Sequence, residues 1–259
     1  MEIETFFCCI TYSSHHSTLE HKTLKHKQVL QDKITDLMPR SHERVCADFF
    51  QTQTRFVSEL RALIICSAVP KLIAIPLSDK VSYVRWDQNK IHTQNSKYVN
   101  EILSKLRDLW LRLEAMRTAG SILPSEADSI WAYAFGHVVE EIVEGFAKTS
   151  RKCSMEGRGL MAMDVAAVEH GVRDIHPLPR SFPVHCSTKK YAHDYVQAYY
   201  SESLDTFLQW VKSHARIYTV TQMKTLGQCC VAAQSMKSKK QIRLFGEKVE
   251  AMCKIGVSE

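Results

Sequence analysis

The chain has 259 residues, 45% of them hydrophobic and 24% charged, an ordinary soluble composition with room for one large domain or two helical sub-bundles. With 9 glycines and 7 prolines it is poor in the turn residues that a β-sandwich needs, which leaves a helical protein as the expectation. The net charge of +6 is dense only in HKTLKHK (21–27) and KSKKQIR (237–243), both short beside the continuous basic face of a nucleic-acid binder; weak attraction to acidic membrane surfaces or acidic partners stays open.

Residues 1–18 show no strong period and hold the SSHHST cluster, and a poorly ordered N-terminal segment is expected over 1–28. A modest helical pattern from Leu19 to Leu37 runs up to Pro39. The stretch 42–69 reads as one long helix with Phe49, Phe56, Leu60 and Leu63 on a single apolar stripe, ended by Pro70. The most apolar stretch, 60–77, is interrupted by Arg61, Pro70, Lys71 and Pro76. A membrane span needs about 20 unbroken apolar residues, so a buried helix with its exit loop is expected and no anchor.

Val99, Leu103, Leu106, Trp110 and Leu113 then repeat at spacings of four and three, and Trp131, Phe135, Val138, Ile142 and Gly145 do the same after a helix start at Pro124–Ser125. Two such helices with a short link predict an antiparallel hairpin. A further helix is expected from about Cys153–Ser154, with small residues Gly145, Cys153, Gly157 and Gly159 letting backbones approach and Leu160, Met161, Val165 and Val168 forming its apolar face. The stretch 171–188, with three prolines, reads as the main loop. It would divide a bundle over 29–170 from a short-helix bundle over 189–259, with helices near 189–200, 203–215, 219–233 and 239–253. No repeat of fixed period and no convincing strand are visible.

Chemistry finds little purchase in this pattern. Gly157-Arg158-Gly159 matches neither phosphate-loop spacing and lacks a preceding strand. Cys153 or Ser154 as a nucleophile would need a distant histidine, and no G-x-S-x-G signature accompanies them. His15, His16, His21 and His26 do not complete a metal set. The nine cysteines include no C-x-x-C pair and follow no secretory leader, which predicts reduced thiols in the cytosol. No cofactor, metal or small-molecule substrate is expected. Read as structure, Glu156 and Arg158 would cap the turn or pair with neighbouring helices, and Asp164 would reach a basic partner.

Several strings, taken in order, carry a resemblance. They are FFQTQTRFVSELR (49–61), VRWD (84–87) with KYVNEIL (97–103), EGFAKTSRKCSMEGRGLMAMD (144–164), RDIHPLP (173–179) and YAHDYVQAYYSESLDTFLQWVKSHARIYTVTQM (191–223). From Val29 to Cys253 the chain resembles the C-terminal region of the syndetin family, which supplies the distinguishing subunit of the endosome-associated recycling protein tethering complex. The resemblance implies an all-α, elongated antiparallel helix bundle of the helical-rod tethering type, with Trp86, Gly145, Cys153, Ser154, Glu156, Gly157, Arg158, Leu160, Met161 and Asp164 as its structural motif residues.

It also implies a non-enzymatic role in endocytic recycling and in endosome-to-plasma-membrane or retrograde traffic. The partners would be other tether subunits, endosomal SNAREs and a small GTPase. The protein would be cytoplasmic and peripheral on recycling endosomes and the trans-Golgi network, held there through its partners. Gly159 stands where alanine is expected, and SFPVHCS lengthens the proline loop. The aromatic run Tyr195, Tyr199, Tyr200, Phe207 and Trp210 has two open readings, partner contact or core packing. A small basic helical nucleic-acid binder or a generic adaptor is the alternative function.

Overall fold

The computed structural model describes residues 33–34, 43–90, 93–148, 153–179, 188–230 and 238–258. Among these the chain is all-α, with nine helices and no strand. The helices are α1 (Glu43–Ile73), α2 (Leu77–Ser82), α3 (Lys97–Thr118), α4 (Pro124–Lys148) and α5 (Met155–Ile175), then α6 (Thr188–Ala198), α7 (Leu204–His214), α8 (Val220–Cys229) and α9 (Lys239–Ser258). The start over 1–28, the HKTLKHK run, the four N-terminal histidines and the SFPVHCS stretch all lie outside the described residues. No helix among the described residues is long and apolar enough to cross a membrane.

Contacts divide the chain into two compact units. The first comprises the residues up to Ala74 together with Asp108–Ala134. Its helices α3 and α4 are joined by the short link 119–123, in which Gly120 takes φ +71°, the left-handed conformation that glycine adopts freely. The Trp110 and Trp131 rings meet edge to face at 5.4 Å, about equally far from the link, as an antiparallel hairpin requires. Leu109, Leu113, Ile122, Ala127, Ile130 and Trp131 are buried around that pair. Arg61 of α1 donates to Glu126 Oε1 at 2.8 Å, while Glu126 Oε2 accepts from the Leu123 amide at 3.0 Å and so closes the start of α4.

Two expectations for α1 are corrected. Pro70 does not end the helix, which continues to Ile73; the Pro70 carbonyl still accepts from the Ala74 amide at 2.9 Å, and the turn comes at Ala74 with φ +49°. Nor is the stripe a buried one: Phe49, Phe56, Leu60 and Leu63 are all exposed. The buried residues of α1 are Ala68, Val69 and Ile73. At 100° per residue they fall on the opposite side of the helix from the stripe, so the C-terminal turns of α1 are buried on its other face.

The second unit comprises Ile75–Arg107 and the residues from Phe135 onward. Its core collects Val81 of α2, Trp86 just after it, Val99, Ile102 and Leu106 of α3, and Phe135, Val138, Ile142 and Phe146 of α4. On the far side α5 packs against α6, and α9 against α7 and α8. Helix α5 before the proline-bearing stretch and helices α6 to α9 after it all fall in this unit. Residues 171–175 simply complete α5.

Candidate functional site

The EGRG string lies where α5 begins. Ser154 is extended (φ −86°, ψ 170°) and its Oγ accepts from the Gly157 amide at 3.0 Å, an N-cap that satisfies one of the helix's orphan donors. The Ser154 amide in turn donates to the Trp86 carbonyl at 3.1 Å, tying the cap to a residue 68 positions earlier. Trp86 is fully buried, with its indole N–H on the Val81 carbonyl at 3.1 Å and its ring edge-on to Phe146 at 5.4 Å.

Two glycines make room for this segment. A Cβ on Gly157 would stand 1.8 Å from the Trp86 carbonyl oxygen, and one on Gly145 would stand 2.5 Å from the Val81 Cβ. The stretch from α2 to Trp86 is thus clamped between α4 and α5 wherever those helices carry no side chain. Gly159 plays no such part: it is exposed, with nothing within 4 Å of its would-be Cβ, which corrects the expectation that it too allows a close approach.

With its amide spent on Ser154 and its Cα against Trp86, Gly157 builds a packed junction rather than a phosphate cradle. Leu160 and Met161 are buried on the same helix, and Glu156 is half-buried in its first turn, where a carboxylate suits the helix dipole.

Arg158 is 2% exposed. Its guanidinium lies 4.2 Å over the Tyr199 ring, and its Nη2 donates to Cys229 Sγ at 3.6 Å. Tyr199 then donates to the Cys153 carbonyl at 2.8 Å, which joins α5, α6 and α8 in one buried group. Burial pushes the Cys153 and Cys229 thiols up, with the Arg158 charge opposing only in part. Cys153 is accordingly a packed thiol and lacks the lowered pKa of an activated nucleophile. Asp164, fully buried, accepts from the Ser96 amide at 2.8 Å and faces the Tyr98 hydroxyl. It anchors the start of α3. Burial first, and the Asp164 charge second, hold the Tyr98 hydroxyl well above its ordinary pKa.

The aromatic run divides. Tyr195 and Tyr199, 1% and 0% exposed, belong to the core together with Phe207, so the reading of these two tyrosines as partner contacts is corrected. Tyr195 donates to the Gln222 carbonyl at 3.1 Å, and burial, its largest influence, raises its hydroxyl well above the usual value. Tyr200 and Trp210 are half-buried. Trp210 stacks on His214 at 4.6 Å and on Tyr218 at 5.2 Å, leaving part of its ring toward solvent.

Residues missed in the sequence reading join these. Gln222 closes a capping box with Thr219 and reaches Glu144 Oε2 at 3.1 Å, and Tyr218 stacks on Tyr191 at 4.7 Å. The T-x-x-Q spacing of the capping box is a readable signal. The meeting of Tyr98 with Asp164, 66 positions apart in sequence, has no local one.

Among the described residues no group of three or more His, Cys, Asp or Glu side chains could hold a metal ion. The segments that meet at Trp86, Gly157 and Arg158 carry three of the resemblance strings, those at 84–87, 144–164 and 191–223. Residues 23–247 match the family described as "Syndetin, C-terminal". This chain belongs to the syndetin C-terminal family. Syndetin of Rattus norvegicus and of Mus musculus are each 27% identical to it over 219 residues, and syndetin of Gallus gallus is 25% identical over the same length.

These alignments cover 83% of this chain and 22% of each relative, so the chain spans about a fifth of the length of the curated syndetins it matches. The family match begins at residue 23, ahead of Val29 where the resemblance was read to start. No solved structure matches the chain.

Proposed function

We propose that this chain works without catalysis, as the protein-contact module of a vesicle-tethering subunit in endocytic recycling and in endosome-to-plasma-membrane or retrograde traffic. The observation that carries this is the syndetin C-terminal match over residues 23–247. Its partners on this reading are other tether subunits, endosomal SNAREs and a small GTPase, with peripheral attachment to recycling endosomes and the trans-Golgi network through them.

The physical character of the fold supports it. Helices with exposed apolar positions, such as Leu244, Ile255 and Val257 on α9, offer faces along which partner helices can lie. Tyr200 and Trp210 are the remaining aromatic contact candidates of the run, half-buried rings of the type that forms binding hot spots. The motif residues around Trp86 and Gly157 serve the reading indirectly, by holding those helices in place.

Proximity labelling in cells, with the intact chain as bait, tests the proposal. Recovery of tether subunits or endosomal SNAREs is the expected result. A well-folded helical bait that recovers neither would overturn it. Trp210→Ala in the same bait should reduce recovery while leaving the helical spectrum intact.

A further inference from the structure

Helix α1 leaves a row of large apolar side chains uncovered. Val45, Phe49, Phe56, Leu60 and Leu63 are between 46% and 67% exposed, along a stretch about 27 Å long. Single exposed hydrophobics are ordinary, but a contiguous row marks a contact surface. The charges beside it say what it contacts. Four of these residues each follow a charged one: Arg44–Val45, Asp48–Phe49, Arg55–Phe56 and Glu59–Leu60. At 100° per residue the four apolar positions share one narrow arc, and the four charges share another on a single flank, about 100° away.

The signs run plus, minus, plus, minus at spacings of four, seven and four, a pattern that meets its own opposite when the helix is turned end for end. Laid antiparallel against itself, Val45 faces the second copy's Leu60 and Phe49 faces its Phe56. On the flank, Arg44 then comes beside Glu59 and Asp48 beside Arg55, each offset by about 3 Å along the axis, within easy side-chain reach. An in-register parallel pair would instead carry the two charged flanks to opposite sides of the interface, where the complementary charges never meet. We propose that α1 is a self-association surface, pairing antiparallel with α1 of a second copy of this chain about a two-fold axis level with Thr52 and Gln53.

Among the described residues, the ion pair on this flank opposes the exchange only weakly. Arg55 and Glu59 lie 3.6 Å apart on side chains 75% and 65% exposed, a solvent-screened pair that gives up its partner at little cost. The inference rests on α1 alone and does not depend on the tether reading.

Sedimentation equilibrium of the intact chain through the micromolar range tests it, with a reversible monomer–dimer equilibrium expected. Asp48→Arg sets two like-charge contacts into the interface and should weaken the dimer about tenfold or more. Adding Arg55→Asp to it should restore most of the lost affinity. Phe49→Glu should leave only monomer with an unchanged circular dichroism spectrum, because the side chain is exposed in the monomer. A chain that stays monomeric throughout overturns the proposal, as does a dimer indifferent to both Asp48→Arg and Phe49→Glu. A monomer in which the Phe49→Cys thiol resists alkylation, read by peptide mass spectrometry, overturns it too and gives the face to another part of the same chain.

Discussion

A Cβ at position 157 would stand 1.8 Å from the Trp86 carbonyl oxygen, whereas one at position 159 meets nothing within 4 Å. Alanine at the two sites should therefore act with opposite sign. Gly157→Ala forces backbone apart at a junction also held by the Ser154–Trp86 hydrogen bond, and should cost about 1–3 kcal/mol or more. Gly159→Ala removes helix-interior glycine at no steric cost and should stabilise by about 0.5–1 kcal/mol. Paired thermal melts check this; two shifts of the same direction would mean the junction is not where the close approach matters.

The buried tyrosines make a second test. Tyr98 and Tyr195 are held well above their ordinary pKa, chiefly by burial. Above about pH 10 the unfolded chain releases these protons while the folded chain keeps them, so the unfolded state binds fewer protons and stability falls as pH rises. Below about pH 10 both states are protonated and the two hydroxyls add no slope. A Tyr98→Phe chain should accordingly lose less stability than the parent between neutral pH and the alkaline range in urea unfolding. Equal alkaline slopes would contradict the burial of that hydroxyl.

Helix α8 shows how much one cap can carry. Thr219 Oγ1 accepts from the Gln222 amide at 3.2 Å, and Gln222 Oε1 accepts from the Thr219 amide at 2.9 Å. The same Gln222 side chain donates to Glu144 of α4, and its carbonyl receives the Tyr195 hydroxyl of α6. Thr219→Ala should cost about 1 kcal/mol, the ordinary value of a cap. Gln222→Ala should cost about 1–3 kcal/mol, because it also strips a partner from Glu144 inside the fold. If urea unfolding ranks the two the other way, the link to α4 contributes less than the cap.

The positions of α3 and α4 at spacings of four and three were legible because they form a local pattern with a period, whereas the T-x-x-Q cap, a local signal without a period, was missed. What else escaped the sequence depended on distance along the chain. Gly157 announced a close approach but not that Trp86 was its neighbour, and Asp164 gave no hint of Ser96. The α1 stripe misled in the other direction, since periodicity reports an apolar face without saying whether the same chain covers it. Pro70 misled because α1 carries on for one more turn past it.

For the molecule as a whole the open question is what its excess positive charge does. The net charge is +6, yet the basic side chains are widely engaged with acidic ones: Lys148 with Asp79 at 3.0 Å, Lys224 with Glu250 at 2.6 Å, Arg61 with Glu126 at 2.8 Å and Arg173 with Glu169 at 3.3 Å. Among the described residues these pairs interleave the two signs, and phosphate binding depends on an extended field of one polarity. The start of α9 holds the densest described basic run, with Lys239, Lys240 and Arg243 exposed, and there Arg243 already lies 3.5 Å from Glu247.

Labelled duplex DNA and single-stranded RNA should therefore show, by fluorescence anisotropy, no saturable binding to the intact chain at physiological salt. Any association at low salt should weaken with a shallow log–log slope, since few phosphates would be neutralised at once. The double variant Lys239→Glu, Lys240→Glu should leave recovery of partner proteins within about twofold of the parent, because reversing a rim charge chiefly alters association rate. Tight nucleic-acid binding with a steep salt slope, abolished by the same two substitutions, would reverse the assignment and make α9 a phosphate-contacting helix.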